Sequence, residues 1–287
     1  MMALKQAKYY DKTDGETVVC RLCPHGCRLK PGQTGICLAR QNVNGELYSL
    51  NYGRVTALAL DPIEKKPLKR FHPGSAILSA GSFGCNFKCS FCQNWRISQS
   101  EQPGHDVTPG ELVDAALKAV GAGNIGLAYT YNEPSIWYEF VYDCAVAAHE
   151  KGLKNVLVTN GYIRTEPMEA LLPYVDAMNI DLKSMDPGFY RRQCKGELGP
   201  VLDTIRLCAQ NCHAELTTLL IPGENDSKEE VRALSEWVAS VSPKLPLHLT
   251  RYHPDYRMET PQMERERLFE LADIARERLE YVYCGNV

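Results

Sequence analysis

No run of apolar residues in this chain approaches the roughly 20 needed to cross a bilayer as a helix. The opening stretch, Met1-Met2-Ala3-Leu4-Lys5-Gln6-Ala7-Lys8, lacks the apolar centre of a secretory signal. An excess of one charge is missing too: 32 Lys and Arg against 35 Asp and Glu leave a net charge of −3. That removes the electrostatic grounds for binding nucleic acid or a membrane surface. The expected location is therefore the cytoplasm, with neither membrane nor nucleic acid as a partner. The 287 residues, 44 % apolar and 23 % charged, suffice for one large core with or without a small appendage.

Cysteine, by contrast, is abundant, at 12 residues. A reducing compartment disfavours disulfides, so metal sites are the better account. The cysteines are unevenly placed. Cys20, Cys23, Cys27 and Cys37 form one group, and Cys85, Cys89 and Cys92 another. Cys144, Cys194, Cys208, Cys212 and Cys284 are scattered and read as small buried hydrophobes. Cys208 and Cys212 have helical spacing, but two ligands make a poor metal site.

The stretch Gly81-Ser82-Phe83-Gly84-Cys85-Asn86-Phe87-Lys88-Cys89-Ser90-Phe91-Cys92 follows the apolar pair Ile77-Leu78. It reads as a strand that opens into a glycine-bearing loop of thiols. Three thiolates spaced C-x3-C-x2-C hold three irons of a cubane cluster and leave the fourth iron open to a ligand. Zinc with a ligand from elsewhere, or plain burial, are the competing readings. The earlier group, Cys20-x2-Cys23-Pro24-His25-x-Cys27-x9-Cys37, carries its own four thiols, with Gly32 and Gly35 before the last. It suits a closed site, either structural zinc or a second iron–sulfur cluster, with His25 beside the ligands rather than among them.

Residues 46–60 alternate weakly and predict a hairpin, and 61–70, with Lys65, Lys66, Lys69 and Arg70, predicts a solvated linker. From residue 75 onward short apolar runs alternate with helical patterns, which predicts repeated βα units and a parallel sheet. The expected strands are 76–80, 125–131, 156–159, 177–182, 215–221 and 247–252. Capping signals at Thr108-Pro109-Gly110-Glu111 and at Ser227 with Glu230 open two of the helices, and 264–280 predicts a last, heavily charged one. In such folds the site lies at the carboxyl ends of the strands. Polar residues stand there: Asn132, Asn160, Asp181, Lys183 and His253. Asn179, Asp181 and Lys183 alternate with Ile180 and Leu182, which places the polar three on one face of their strand.

The run Cys85-x3-Cys89-x-Phe91-Cys92 resembles the signature of radical S-adenosylmethionine (radical SAM) enzymes. Nearly the whole chain resembles the AmmeMemoRadiSam-system branch, close to the pyruvate formate-lyase activating enzymes. The resemblance implies an α/β fold: a partial (β/α)6 barrel over residues 71–287, with a small cysteine-rich segment and hairpin over 1–70. A doubly wound sheet would give the same pattern, so the barrel is owed to the resemblance alone. It also implies a [4Fe–4S] cluster on Cys85, Cys89 and Cys92, S-adenosylmethionine, and hydrogen-atom abstraction by a 5′-deoxyadenosyl radical. Phe91, Gln93, Asn132, Asn160, Asp181, Lys183 and His253 match positions that contact the cofactor. The family's Gly-Gly-Glu-Pro reads Tyr131-Asn132-Glu133-Pro134 here, and the cysteine-bearing tail common in relatives is expected to be missing beyond Val287. Implied partners are a one-electron donor such as flavodoxin or ferredoxin, and a protein substrate if the chain is a glycyl-radical activase. Modification of a small molecule or another macromolecule is the alternative. A non-catalytic iron–sulfur carrier or metal-binding adaptor is the alternative of another class.

Overall fold

The computed structural model describes residues 4–287; Met1, Met2 and Ala3 of the opening stretch lie outside them. One sheet organises the fold. Its strands are β1 (Ala57–Pro62), β2 (Ala76–Gly81), β3 (Asn124–Tyr129), β4 (Lys154–Thr159), β5 (Ala177–Asp181), β6 (His213–Leu220), β7 (Leu247–Arg251) and β8 (Val282–Gly285). They lie side by side in chain order, with β1 and β8 at the edges. β2 to β8 are parallel, and β1 runs antiparallel to β2. The helices α1 (Pro109–Lys118), α2 (Tyr138–Glu150), α3 (Thr165–Leu171), α4 (Leu198–Asn211), α5 (Lys228–Val241) and α6 (Arg265–Arg276) form the crossovers. This is the expected partial α/β barrel, with one further parallel strand, β8, in a stretch read only as the chain's end.

Local chemistry accounts for most of these elements. Buried parallel strands need near-continuous apolar runs, and all of β2 after its first residue is buried. α1 opens with the predicted capping box: Glu111 N–H donates to Thr108 Oγ1, and Thr108 N–H to the Glu111 carboxylate. At α5 only half of the box forms. Ser227 Oγ accepts from Glu230 N–H, but the Glu230 carboxylate accepts instead from Ser184 Oγ and Met185 N–H, tying α5 to the segment after β5. Among the described residues, no helix is long and apolar enough to cross a membrane.

Two sequence expectations do not hold. Residues 46–60 do not make one hairpin: Arg40–Val43 pairs with Glu46–Ser49 across Asn44-Gly45, while Ala57–Pro62 joins the main sheet as β1. Both turn residues have positive φ, 50° and 81°, which the Asn-Gly pair adopts readily. Nor is 61–70 a solvated linker. Ile63 and Leu68 are fully buried, and Lys66, 3 % exposed, pairs with Asp61 at 2.9 Å. This segment lies against the polar face of β5 and β6. Asn179 Nδ2 donates to Pro67 O, and the Lys69 and Arg70 N–H groups donate to the Glu215 carboxylate at 3.0 and 2.8 Å.

Glu215 is wholly buried and also accepts from His213 Nε2 at 2.9 Å and His248 Nε2 at 2.6 Å. Burial alone would raise its pKa, but the two imidazoles and two backbone donors reverse that and bring it down to about 2. A carboxylate whose pKa falls on folding stabilises the fold above its ordinary range and loses that contribution as pH drops toward the folded value. Glu215→Gln should therefore cost about 3 kcal/mol at neutral pH and blunt the loss of stability between roughly pH 4.5 and 2. Urea melts of both proteins across that range will show whether the two curves converge in acid.

Candidate active site at the strand ends

The thiol loop leaves β2 at Gly81, where a side chain would meet Thr130 O at 2.7 Å. Its phenylalanines anchor it. Phe83, Phe87 and Phe91 recur every fourth residue and are all buried; Phe87 packs on Tyr162 and Tyr190, and Phe91 on Phe189. With the loop so anchored, Cys85, Cys89 and Cys92 face a cavity of 390 Å³, whose walls Phe87 and Phe91 share. Backbone contacts hold the rest. Lys88 N–H donates to Cys194 O at 2.8 Å, Ser90 N–H to Gln193 O at 3.1 Å, and Arg257 N–H to Ser90 O at 3.0 Å. Cys194, read from sequence as a small buried hydrophobe, thus belongs to the segment that braces this loop.

Strand-end side chains complete the walls. Phe91, Gln93, Asn132, Asn160, Asp181 and Lys183 all line the same cavity as the three thiols. His253 is not among the lining residues; it sits at the rim, where Gln93 Nε2 donates to its Nε2 at 3.0 Å. Lys183 Nζ bonds Asp181 Oδ2 at 2.9 Å and lies 5.8 Å above the centre of the Phe91 ring. Burial opposes the charge on Lys183, but the Asp181 carboxylate and neighbouring sulfurs outweigh it and hold its pKa well above the ordinary value.

Asn132 and Asn160 have their amides committed. Asn132 accepts from Ser82 N–H at 2.9 Å and donates to Phe83 O and Gly84 O at 3.2 Å, so it pins the start of the thiol loop. Asn160 Nδ2 bonds Asn86 Oδ1 at 2.8 Å and lies 3.6 Å from Cys85 Sγ. Polar groups reach two of the three sulfurs: Phe87 N–H is 3.3 Å from Cys85 Sγ, and Ser98 Oγ is 3.2 Å from Cys92 Sγ.

Sequence reasoning passed over Glu133. It lines the cavity, is buried, and accepts from Ser135 N–H, Thr159 Oγ1 and Asn160 N–H at 2.7 to 2.9 Å. Burial raises its pKa, with those donors working against the rise. The available signal was its place ahead of Pro134, as the cap of a short 3-10 turn. Tyr131 was read only as a lost glycine. It keeps a glycine-like φ of 70°, held by its hydroxyl on Asp61 at 2.7 Å and by Lys66 4.7 Å from its ring centre. Thr217 on β6, Thr250 on β7 and Asn286, just past β8, were also missed as cavity walls.

The other four cysteines stand apart from this cavity, around a small space of their own. Among the described residues, no three His, Cys, Asp or Glu side chains are gathered closely enough to ligate a single ion, and this holds for both sulfur groups. Each group lines a shared space instead.

Comparison with known proteins bears on this arrangement. Residues 81–236 match the family model described as the radical SAM superfamily. The chain is 43 % identical to the uncharacterized protein MJ0808 of Methanocaldococcus jannaschii, over 99 % of this chain and 86 % of that one. It is 24 % identical to the pyruvate formate-lyase-activating enzyme of Clostridium pasteurianum, over 69 % of this chain and 89 % of that one. Its fold follows that of a radical SAM methyltransferase from Sphaerobacter thermophilus, with a TM-score of 0.59, 17 % identity, and coverage of 99 % and 77 % of the two chains.

Proposed function

The chain belongs to the radical SAM superfamily, and from that premise we propose that it is an oxidoreductase holding a [4Fe–4S] cluster on Cys85, Cys89 and Cys92 with S-adenosylmethionine beside it. When bound, these two groups supply one-electron cleavage of the sulfonium and a 5′-deoxyadenosyl radical for hydrogen-atom abstraction. The protein's part is to hold, orient and keep water out. The observation that carries the reading is the 390 Å³ cavity, with three thiols and the strand-end polar set on its walls. The donor chemistry fits as well. A backbone N–H and a hydroxyl already approach two sulfurs, as thiolate ligands require.

Each side chain has a part in this reading. Lys183 stays cationic and offers donors to a carboxylate, and Asp181 accepts from an amine or hydroxyl. Phe91 gives an apolar face, and the Gln93–His253 pair closes the rim. Asn160 steadies the Cys85 end of the loop, and Asn132 works indirectly by pinning residues 82–84. Cys20, Cys23, Cys27 and Cys37 form a second, closed site for zinc or an iron–sulfur cluster. A one-electron donor such as flavodoxin or ferredoxin is the expected partner. Likeness to a pyruvate formate-lyase-activating enzyme supports abstraction from a glycine of a partner protein. A non-catalytic carrier would have no use for a cavity of this size walled by a charged pair.

The test is anaerobic. Reconstituted with iron and sulfide, then given S-adenosylmethionine and dithionite, the protein should release 5′-deoxyadenosine, measured by chromatography. A protein that carries the cluster yet neither binds nor cleaves S-adenosylmethionine would overturn the reading.

A further inference from the structure

Arg40 lies on the wall of the space enclosed by Cys20, Cys23, Cys27 and Cys37 and is 1 % exposed. Its terminal nitrogens are satisfied: Nη2 donates to both Glu139 oxygens at 2.6 and 2.7 Å, and Nη1 to Lys8 O at 3.1 Å. Its Nε–H is buried without an acceptor. Leaving a charged donor unpaired inside a protein is costly, and structures rarely tolerate it. The remaining walls are thiols and apolar groups such as Leu22, Leu29 and Ile136. A neutral thiol is a weak acceptor; a thiolate on a metal is a good one. The orphaned donor therefore marks where negative sulfur is due. The enclosed space is only 10 Å³, which leaves no place for a substrate.

Two contacts tie this group to the thiol loop, one on each side of Cys85. The Cys37 carbonyl packs so tightly on Gly84 that a side chain there would stand 2.3 Å from it. His25, between Cys23 and Cys27, donates from Nε2 to Asn86 O at 2.8 Å.

We infer that Cys20, Cys23, Cys27 and Cys37 bind a metal as four thiolates, that Arg40 donates its Nε–H to them, and that the filled site holds the Cys85–Cys92 loop in place through Cys37 and His25. Binding releases the four thiol protons to solvent and draws the sulfurs onto the occupant. The first two parts stand on the residues named; only the third rests on the reading of the Cys85–Cys92 loop given above.

Metal analysis of the full chain, alone and as the Cys85→Ala/Cys89→Ala/Cys92→Ala triple variant, tests the site. After incubation with zinc, or with iron and sulfide, and desalting, the triple variant should keep about one zinc or about four irons per chain. Which arm retains metal identifies the occupant, and retention in neither overturns the inference. Arg40→Lys keeps a cation for Glu139 but lacks the Nε–H, and should weaken retention against a chelator about tenfold. Unchanged retention removes Arg40 from the site. His25→Phe leaves all four thiols in place and should speed loss of iron from the Cys85–Cys92 loop several-fold while the N-terminal metal stays; an unchanged rate removes the coupling. A triple variant that keeps its metal, beside a wild type that never cleaves S-adenosylmethionine, would fault the enzymatic reading and leave this site standing.

Discussion

Cys89→Ala should bring reductive cleavage of S-adenosylmethionine to background, at least about 10³-fold below wild type, a loss of about 4 kcal/mol or more in transition-state stabilisation. Cys89 is the middle thiol of the three on the cavity wall and is almost fully buried. Two thiolates leave two irons of a cubane unligated by protein, so the change removes the cluster rather than retuning it. The fold should survive. The substitution deletes one atom beside an existing cavity, and about 1 kcal/mol is the scale for such a change. Iron content, 5′-deoxyadenosine yield and a urea melt on the same preparation separate the two effects. Wild-type cleavage by the variant would show that the loop does not carry the cluster.

Gly84→Ala is expected to be the most damaging single methyl in the loop. Gly84 has φ +87°, which an alanine adopts only with strain, and the added carbon would stand 2.3 Å from the Cys37 carbonyl. The obstacle is backbone, so no side chain can swing aside. Gly152 provides the control: its φ is +72°, but nothing lies within 4 Å of an added carbon. Gly152→Ala should therefore register backbone strain alone, about 1 kcal/mol. Gly84→Ala adds a steric displacement and should lose roughly 3–5 kcal/mol, with poorer iron incorporation at the loop it opens. Equal losses at the two glycines would mean that the Cys37–Gly84 contact is not tight in solution.

Much of the fold was legible because its determinants are local. The apolar runs from 76 to 252 placed six parallel strands within a residue or two, and Thr108 with Glu111 marked a helix start that formed as expected. β8 was missed because Val282–Gly285 is short and only its first residue is buried. The 61–70 segment misled for a different reason. Its lysines read as solvated, but a partner removes the penalty of burying one: Lys66 has Asp61 as its counter-ion and the Tyr131 ring beneath it. The pairing of Asp61 with Tyr131 joins residues 70 apart in the chain and leaves no trace in either stretch alone.

The site divides in the same way. The spacing of Cys85, Cys89 and Cys92 was legible as a motif, because the placement of three thiols on one loop is set by chain geometry over a few residues. The strand-end polar residues were visible as candidates, since period-2 alternation puts Asp181 and Lys183 on one face wherever the strand goes. Sequence by itself thus determined the thiol loop, the order of βα units and part of the set of polar side chains at their ends. Only the tertiary structure decided what each one touches. It turned the Asn132 amide onto residues 82–84, put buried Glu133 between two strands, and left the Arg40 Nε–H without an acceptor in a residue that lines the four-cysteine space. It also set Cys37 against Gly84, so that the two cysteine groups meet. The reason is physical: periodicity, caps and ligand spacing act within a few residues, whereas the satisfaction of a buried polar group depends on which distant segment arrives beside it.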